Sequence, residues 1–240
     1  MKQHTLSIST RTQPIVALAI DDRQDPTALS PWIVAGVGLL ELRIDQYRDK
    51  RPDALLAHVR ACAALAPCLI TIRAAWEGGA WEESEAARQT LYETLIPEAA
   101  AVDIELAAKA PVRDAVIAAA HARGIPVILS HHNFETTPSR VALDEKASAA
   151  WEAGADYFKV AATCQNLDEV QRLAAFTLDN RDRNIVTIGM GPAGTLSRVF
   201  FPALGSKITY TFLGEATAPG QLDCETTLAH MAAFYPDFTR

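Results

Sequence analysis

The chain of 240 residues is long enough for one large α/β domain, and its 49% of hydrophobic residues can fill a core. A charged fraction of 21% argues against long disordered tracts, and a net charge of −7 without any basic block argues against nucleic-acid binding. No apolar run approaches the roughly 20 residues that span a bilayer, and the N-terminal residues lack the apolar segment of a signal peptide. The four cysteines show no CxxC spacing, so we expect reduced thiols in a cytoplasmic protein.

Eight short runs rich in β-branched and apolar residues recur at similar intervals along the chain. Several of them contain no polar residue, which is typical of strands buried on both faces of a parallel sheet. The predicted strands cover residues 15–19, 39–44, 69–72, 102–106, 127–129, 157–160, 185–188 and 208–212.

Between the predicted strands, apolar residues recur with the period of an amphipathic helix. Pro52, Pro111 and Pro138 lie where such helices begin, and Gly124 and Gly154 lie where two of them end. The predicted helices cover residues 53–65, 82–96, 112–123, 139–153 and 167–176.

Eight strand–helix repeats in one uninterrupted chain predict a (β/α)8 TIM barrel. We expect a single catalytic domain over residues 1–240, with residues 1–13 as an N-terminal extension and the Gly/Pro-rich stretch 189–198 as a loop. The alternative is an open, doubly wound sheet, which periodicity alone does not separate from a barrel. A glycine-rich nucleotide loop after the first strand would favour the open sheet, but residues 19–25 contain no glycine.

Polar residues recur at the ends of the predicted strands, and the active site of a barrel lies at the carboxyl ends of its strands. Because seven successive repeats contribute such residues, we expect them to converge on one mouth. They are Glu41, Arg43, Asp45, Arg73, Glu77, Asp103, Glu105, Ser130, His131, His132, Asn133, Lys159, Arg198, Thr217 and Gln221.

Lys159 is the most informative of these residues, because it lies between apolar neighbours in a predicted interior strand. A lysine in an apolar pocket near other cations has a lowered pKa, and its neutral amine can attack a ketone to form a Schiff base. The alternative is a lysine at a strand end that reaches into solvent. We therefore predict imine chemistry at Lys159.

The histidine pair His131 and His132 follows the fifth predicted strand, and one of the two imidazoles can act as a general acid–base near pH 7. Zinc binding is a competing interpretation. However, adjacent residues of an extended segment point in opposite directions, and no third ligand lies at a familiar spacing. A purely structural histidine pair is the other alternative, and we expect no bound metal.

Three arginines, Arg43, Arg73 and Arg198, are candidates for binding a carboxylate through paired hydrogen bonds. Each of them can instead be the structural partner of an ion pair. Glu77 precedes two glycines, which indicate a tight turn where the backbone approaches another group closely. The alternative for Glu77 is a solvated loop position.

Seven motifs occur in an order and spacing that together resemble the type I 3-dehydroquinate dehydratases, from about Pro14 to the C-terminus. The resemblance implies a (β/α)8 barrel that forms a homodimer, needs no cofactor or metal, and dehydrates 3-dehydroquinate to 3-dehydroshikimate. The motifs are Glu41-Leu-Arg43-Ile-Asp45, Thr71-Ile-Arg73-Ala-Ala-Trp-Glu77-Gly-Gly79, Val102-Asp-Ile-Glu-Leu106, Ser130-His-His132-Asn-Phe-Glu-Thr-Thr-Pro138, Phe158-Lys159-Val-Ala, Gly194-Thr-Leu-Ser-Arg198 and Ala216-Thr-Ala-Pro-Gly-Gln221.

The same resemblance implies a role for each matching residue. Lys159 matches the Schiff-base lysine and His132 the general acid–base, while Glu77 matches a carboxylate that orients the imidazole and favours its protonated form. Arg198 matches the main arginine that binds the substrate carboxylate. The other implied substrate contacts are Glu41, Arg43 and Arg73 around the hydroxyls, and Thr217 and Gln221 on a loop that closes over the substrate.

Five positions depart from the family pattern. Ala17 and Thr217 stand where many members carry serine, and Tyr210 stands where phenylalanine is frequent. His131 and Asn133 replace a common asparagine and a common aspartate. Because the lysine, the histidine and the main arginines are present, these changes bear on substrate identity more than on imine chemistry.

The implied partner is a small, anionic, cyclic keto acid rather than a nucleic acid or a membrane. One alternative function is another imine-forming enzyme, such as an aldolase or an enzyme acting on a related cyclic keto acid. The other is a non-catalytic regulator that binds dehydroquinate. A conjugated enone product would indicate dehydration, and loss of the lysine–histidine pair would be typical of a regulator.

Overall fold

All eight predicted strands form and run parallel in the computed structural model of the protein, which describes residues 13–216 and 218–238. The largest difference from the prediction is at the fifth strand, which continues to Asn133 because backbone pairing does not end where the apolar run ends. The strands are β1 Ile15–Ile20, β2 Val37–Arg43, β3 Cys68–Thr71, β4 Ala101–Glu105, β5 Val127–Asn133, β6 Tyr157–Thr163, β7 Ile185–Met190 and β8 Ile208–Phe212.

The strand order confirms a barrel and excludes the open, doubly wound sheet. Each strand pairs with its neighbours in sequence from β1 to β7, and β8 returns to pair with β1. The barrel is nearly closed between β7 and β8, where the Lys207 N–H donates to the Ile185 carbonyl at 2.9 Å. The Ser206 hydroxyl extends this seam, since it accepts from the Thr187 N–H at 3.0 Å.

The five predicted helices are confirmed, and four further helices, α1, α7, α8 and α9, were not predicted. The helices are α1 Ser30–Val34, α2 Pro52–Ala63, α3 Glu85–Leu95, α4 Ala110–His121, α5 Arg140–Glu152, α6 Leu167–Asp179, α7 Gly191–Gly194, α8 Ser197–Leu204 and α9 Cys224–Phe234.

The prediction of a loop at 189–198 is therefore wrong for most of that stretch, which forms the end of β7, all of α7 and the start of α8. Proline at the first turn of α7 begins a helix rather than interrupting one. A Cβ on Gly194 would clash with the backbone of Gly189, so glycine here permits close packing of α7 on β7.

Side chains alternate between two cores along every strand. Side chains on the outer face of the strands pack between the sheet and the helices. Phe158 and Val160, the sequence neighbours of Lys159, belong to this set. Side chains on the inner face of the strands fill the barrel interior, where an apolar cluster includes Ile15, Leu39 and Leu69. The predicted N-terminal extension, residues 1–13, falls almost wholly outside the described residues and stays a prediction.

Candidate active site

A pocket opens at the carboxyl ends of the strands, with an empty volume of about 560 Å³ that includes the open mouth. This volume lies within the range of small-molecule sites. Eight of the residues expected at the mouth line the pocket, the other described ones do not line it, and Thr217 lies outside the described residues. Its lining consists of Glu41, Arg43, Arg73, Glu77, Gly78, His132, Phe134, Lys159, Ala161, Ile188, Met190, Arg198, Tyr210, Ala218 and Gln221.

Lys159 lies at the centre of a layer of four side chains from the alternate strands β2, β4, β6 and β8, which is a common packing pattern in such barrels. Its Nζ donates to Asp103 Oδ2 at 2.9 Å and lies 3.8 Å from Glu41 Oε1. The same atom lies 4.2 Å from the centroid of the Tyr210 ring. We call Glu41, Asp103, Lys159 and Tyr210 the lysine layer.

Lys159 is buried, with 4% of its surface exposed, as its position in an interior strand predicted. The prediction that its amine lies in apolar surroundings is wrong. The apolar neighbours Phe158 and Val160 face the helices, because adjacent residues of a strand point to opposite sides. The amine instead faces the carboxylates of Asp103 and Glu41. In the resting enzyme it is held as one member of a buried ion pair.

Asp103, which was expected at the mouth from its strand position, is the ion-pair partner of Lys159, a role that the sequence did not predict. Its Oδ1 accepts from Arg73 Nη2 at 2.5 Å and from the Ser130 hydroxyl at 2.7 Å, and its Oδ2 accepts from Lys159. Burial raises the pKa of Asp103, but Arg73 and then Lys159 outweigh burial and hold this pKa well below its usual value. An acidic residue inside the apolar run of β4 is the sequence signal that could have identified it.

The barrel side formed by β3, β4 and β5 is a network of paired charges, in which Arg73 donates through both terminal nitrogens. Arg73 Nη1 donates to Glu105 Oε1 at 2.9 Å and to the Ser130 hydroxyl at 2.8 Å. Glu105 Oε2 accepts from Arg88 Nη1 at 2.6 Å. Each buried charge in this network therefore faces at least one opposite charge, which is what burial of ions requires.

Arg43 is also held by a carboxylate, since its Nε and Nη2 donate to Asp45 at 3.0 Å and 2.8 Å. Asp45 in turn accepts from the Ala80 N–H at 3.0 Å, which ties the loop after β3 to β2. Of the three candidate arginines, Arg43 and Arg73 thus have ion-pair partners within the chain.

Arg198 differs from both, because its Nε and Nη2 are buried and make no hydrogen bond to any described residue. Only 4% of its surface is exposed, and it lines the pocket from the first turn of α8. Burial alone lowers the pKa of Arg198 to about 10, so its guanidinium remains charged at neutral pH. A buried cation without a partner is costly unless an anion binds it.

His132 is held through one ring nitrogen, because its Nδ1 lies 2.8 Å from Glu77 Oε2. The same oxygen accepts from the His132 backbone N–H at 3.2 Å. Glu77 ends the 3₁₀ turn Ala75–Glu77, and the following Gly78 has φ 77°, which confirms the predicted tight turn. Since Nδ1 is occupied, Nε2 is the nitrogen left to exchange a proton with a ligand.

The structure favours the neutral imidazole of His132, which reverses the expectation that Glu77 favours the protonated ring. Burial, then Arg73 and Lys159, lower the pKa of His132 well below 6.5. Burial also raises the pKa of Glu77 to about 8, although Arg73 opposes this shift. The buried pair therefore carries less charge than an imidazolium and a carboxylate would carry.

His131 and Asn133 flank the pocket without lining it. The Nδ1 atom of His131 lies 3.9 Å from Glu77 Oε1, beyond hydrogen-bond distance, and burial lowers the pKa of His131 to about 4. Both imidazoles approach one carboxyl group because Glu77 lies against the backbone N–H between them. Asn133 Oδ1 accepts from the backbone N–H groups of Glu135 and Thr136, so this residue closes the turn after β5.

Residues 218–221 approach the pocket from above. Ala218 and Gln221 line it, and the Gly191 N–H donates to the Pro219 carbonyl at 3.2 Å. A Cβ on Gly220, which has φ 71°, would lie 2.5 Å from the Gly191 carbonyl oxygen. Glycine at this position therefore lets the segment pack directly on α7.

Within residues 13–216 and 218–238, no group of three or more His, Cys, Asp or Glu side chains has the arrangement of a metal site. The four cysteines are buried and none of them is in a disulfide. No helix in the described part of the chain has both the length and the apolar character needed to cross a bilayer.

Comparison with known proteins agrees with this geometry. The profile of the family described as Type I 3-dehydroquinase matches residues 15–234. A 3-dehydroquinate dehydratase of Methanococcoides burtonii is 36% identical over 193 residues, covering 79% of this chain and 82% of that protein.

Two crystal structures share the fold at a similar level. The 3-dehydroquinate dehydratase of Geobacillus kaustophilus superposes with a TM-score of 0.83 at 27% identity, covering 93% of each chain. That of Aquifex aeolicus gives a TM-score of 0.82 at 28% identity, covering 92% of this chain and 99% of the other. The chain therefore belongs to the type I 3-dehydroquinase family.

Proposed function

We propose that this protein dehydrates 3-dehydroquinate to 3-dehydroshikimate through a Schiff base on Lys159. The observation that carries the proposal is the meeting, in one pocket, of a buried amine, an imidazole with one free nitrogen, and a buried arginine without a partner. The amine can attack a ketone, the imidazole can remove a proton from an acidic C–H bond, and the arginine can bind a carboxylate of the same substrate. Family membership supports the same reaction.

The first step requires a neutral amine, whereas Lys159 rests in an ion pair with Asp103. The ammonium gives up one proton, and the neutral imidazole of His132 is the base available in the pocket. The amine then attacks the ketone to form a carbinolamine. The carbinolamine hydroxyl takes the proton back from the His132 imidazolium and leaves as water, which gives a protonated iminium and restores the neutral imidazole. Asp103 remains beside Nζ and stabilises this positive charge.

The second step is elimination. The iminium withdraws electrons and acidifies the C–H bond beside it, and His132 Nε2 removes that proton. The electron pair moves into a new double bond as the hydroxyl on the next carbon leaves, and the imidazolium returns a proton to it as water. Hydrolysis of the iminium then releases the enone and restores Lys159. Loss of a positioned base of this kind lowers turnover about 10²- to 10⁴-fold.

The groups around the lysine layer orient the substrate. Arg198 binds the carboxylate of this small cyclic keto acid through charge-assisted hydrogen bonds, which replaces the partner it lacks. Holding that end of the ring directs the leaving hydroxyl towards His132. The family resemblance assigns the contacts with the ring hydroxyls to Glu41, Arg43, Arg73, Thr217 and Gln221. Each step above uses only side chains of this chain and water, in keeping with the expected absence of a cofactor.

Borohydride reduction in the presence of 3-dehydroquinate tests the proposal. We expect a covalent increase in mass on Lys159 alone, and a conjugated enone that absorbs in the near ultraviolet when borohydride is omitted. His132→Ala should still be trapped at Lys159 but should lose most turnover.

Lys159→Met provides the control, since it keeps side-chain length but removes the nucleophile. Unmodified wild-type protein would contradict the Schiff base, and adduct without enone would favour an aldolase. Near-normal turnover of His132→Ala would remove His132 from its role. Homodimer formation and a cytoplasmic location stay predictions; light scattering after gel filtration measures the former.

A further inference from the structure

Tyr210 is the member of the lysine layer to which the proposed chemistry assigns no role. It lies on β8, where its backbone pairs with Ala17 of β1. Its ring supports the Lys159 amine, with Nζ 4.2 Å from the ring centroid. Both Tyr210 and Lys159 line the pocket, so a substrate bound to Nζ is in contact with this tyrosine.

The Tyr210 hydroxyl is buried and makes no hydrogen bond to any described residue. Ala17 presents only a methyl group, and both oxygens of Asp103 already accept from Arg73, Ser130 and Lys159. The Glu41 carboxylate accepts from the Thr71 hydroxyl at 3.0 Å and not from Tyr210. Burial, then the charges of Glu41 and Asp103, raise the pKa of Tyr210 well above 10, so the group remains a hydrogen-bond donor.

A phenylalanine would support the amine equally well, since the cation lies over the ring face. The hydroxyl therefore serves something other than Lys159. A buried hydroxyl without a partner destabilises the protein, and this cost is relieved when a ligand supplies an acceptor. The hydroxyl is attached to the ring over which Nζ lies, and that ring lines the pocket.

We propose that Tyr210 determines specificity by donating a hydrogen bond to the substrate hydroxyl on the carbon adjacent to the ketone. This inference rests on the proposed function and narrows it to cyclic α-hydroxy keto acids. The hydroxyl concerned lies on the side of the ketone away from the C–H bond that His132 cleaves. Tyr210 therefore acts on binding and orientation rather than on proton transfer.

The test compares Tyr210→Phe with the wild type on two substrates: 3-dehydroquinate and its analogue without the hydroxyl beside the ketone. With 3-dehydroquinate, we expect the substitution to lower kcat/KM about 5- to 100-fold, because the substrate hydroxyl is left buried without a partner. With the analogue, the two enzymes should agree within about twofold, since neither has this hydrogen bond to lose. Borohydride trapping at Lys159 should be unchanged.

Tyr157→Phe is the matched control, because Tyr157 also belongs to the barrel interior but does not line the pocket. Its kcat/KM should equal that of the wild type. Tyr210→Phe should also unfold at the same or a higher temperature than the wild type, because it removes an unpaired hydroxyl.

Three results would overturn the inference: an unchanged kcat/KM for 3-dehydroquinate, an equal fall for both substrates, or a clearly lower unfolding temperature. An inactive wild type that traps no adduct would instead contradict the proposed function, and this inference would fall with it.

Discussion

The two sides of the barrel interior differ in whether their buried polar groups have hydrogen-bond partners. On the side of β3, β4 and β5, Arg73 is bonded to Asp103, Glu105 and Ser130. On the side of β8 and α8, the guanidinium of Arg198 and the hydroxyl of Tyr210 have buried polar atoms without partners among the described residues. The pocket lies between the two sides.

This difference separates groups that hold the site together from groups that await a ligand. A paired ion is fixed in position and its removal leaves another charge exposed to a low dielectric. An unpaired donor destabilises the free protein and gains its partner on binding. Lys159 belongs to the paired side through Asp103, but its Nζ also lies on the ring of Tyr210.

Replacing each arginine by methionine should affect the stability of the two sides differently. Arg73→Met leaves the carboxylates of Asp103 and Glu105 without their guanidinium, so we expect a loss of about 3–5 kcal/mol in the free energy of unfolding. Arg198→Met removes a buried cation that has no carboxylate partner, so its free energy of unfolding should be unchanged or higher. Urea denaturation of both variants measures these values, and equal losses would contradict the division.

Arg198, whose replacement should not lower stability, should be needed for activity. Arg198→Met should lower kcat/KM for 3-dehydroquinate about 10- to 150-fold, because a hydrogen bond to a charged group contributes about 1.5–3 kcal/mol. Arg198→Lys keeps the charge but not the planar pair of donors, so it should recover part of the loss. Binding of quinate, measured by calorimetry, provides the control without chemistry. Wild-type affinity for quinate in Arg198→Met would place the carboxylate elsewhere.

The low pKa of His132 should make the stability of the folded protein depend modestly on pH. Burial, Arg73 and Lys159 disfavour the imidazolium form, so the pKa of His132 lies below 6.5. As pH falls, the unfolded chain takes up this proton first, and His132 therefore lowers the stability of the folded protein below pH 6.5. NMR titration of the imidazole, assigned with His132→Asn, should give a midpoint below 6.5. A midpoint above 6.5 would show that Glu77 outweighs burial.

Much of the site could be predicted because each motif is local. Lys159 within an apolar strand, the glycines after Glu77 and the strand-end arginines are all visible in short segments. Asp103 was expected at the mouth, but its pairing with Lys159 was not predicted, because Lys159 is 56 positions away in sequence. The surroundings of Nζ were misjudged for a related reason, since sequence neighbours on a strand face the opposite core.

The eight repeats, the parallel strands and the polar residues at the mouth could be predicted from the sequence, because periodicity and strand ends depend on nearby residues. Which cations are paired depends on the folded barrel: Arg43 and Arg73 have carboxylate partners, whereas Arg198 has none within the described residues. The folded barrel also places Tyr210 against Lys159. These outcomes depend on barrel closure, which brings side chains of distant strands into one layer.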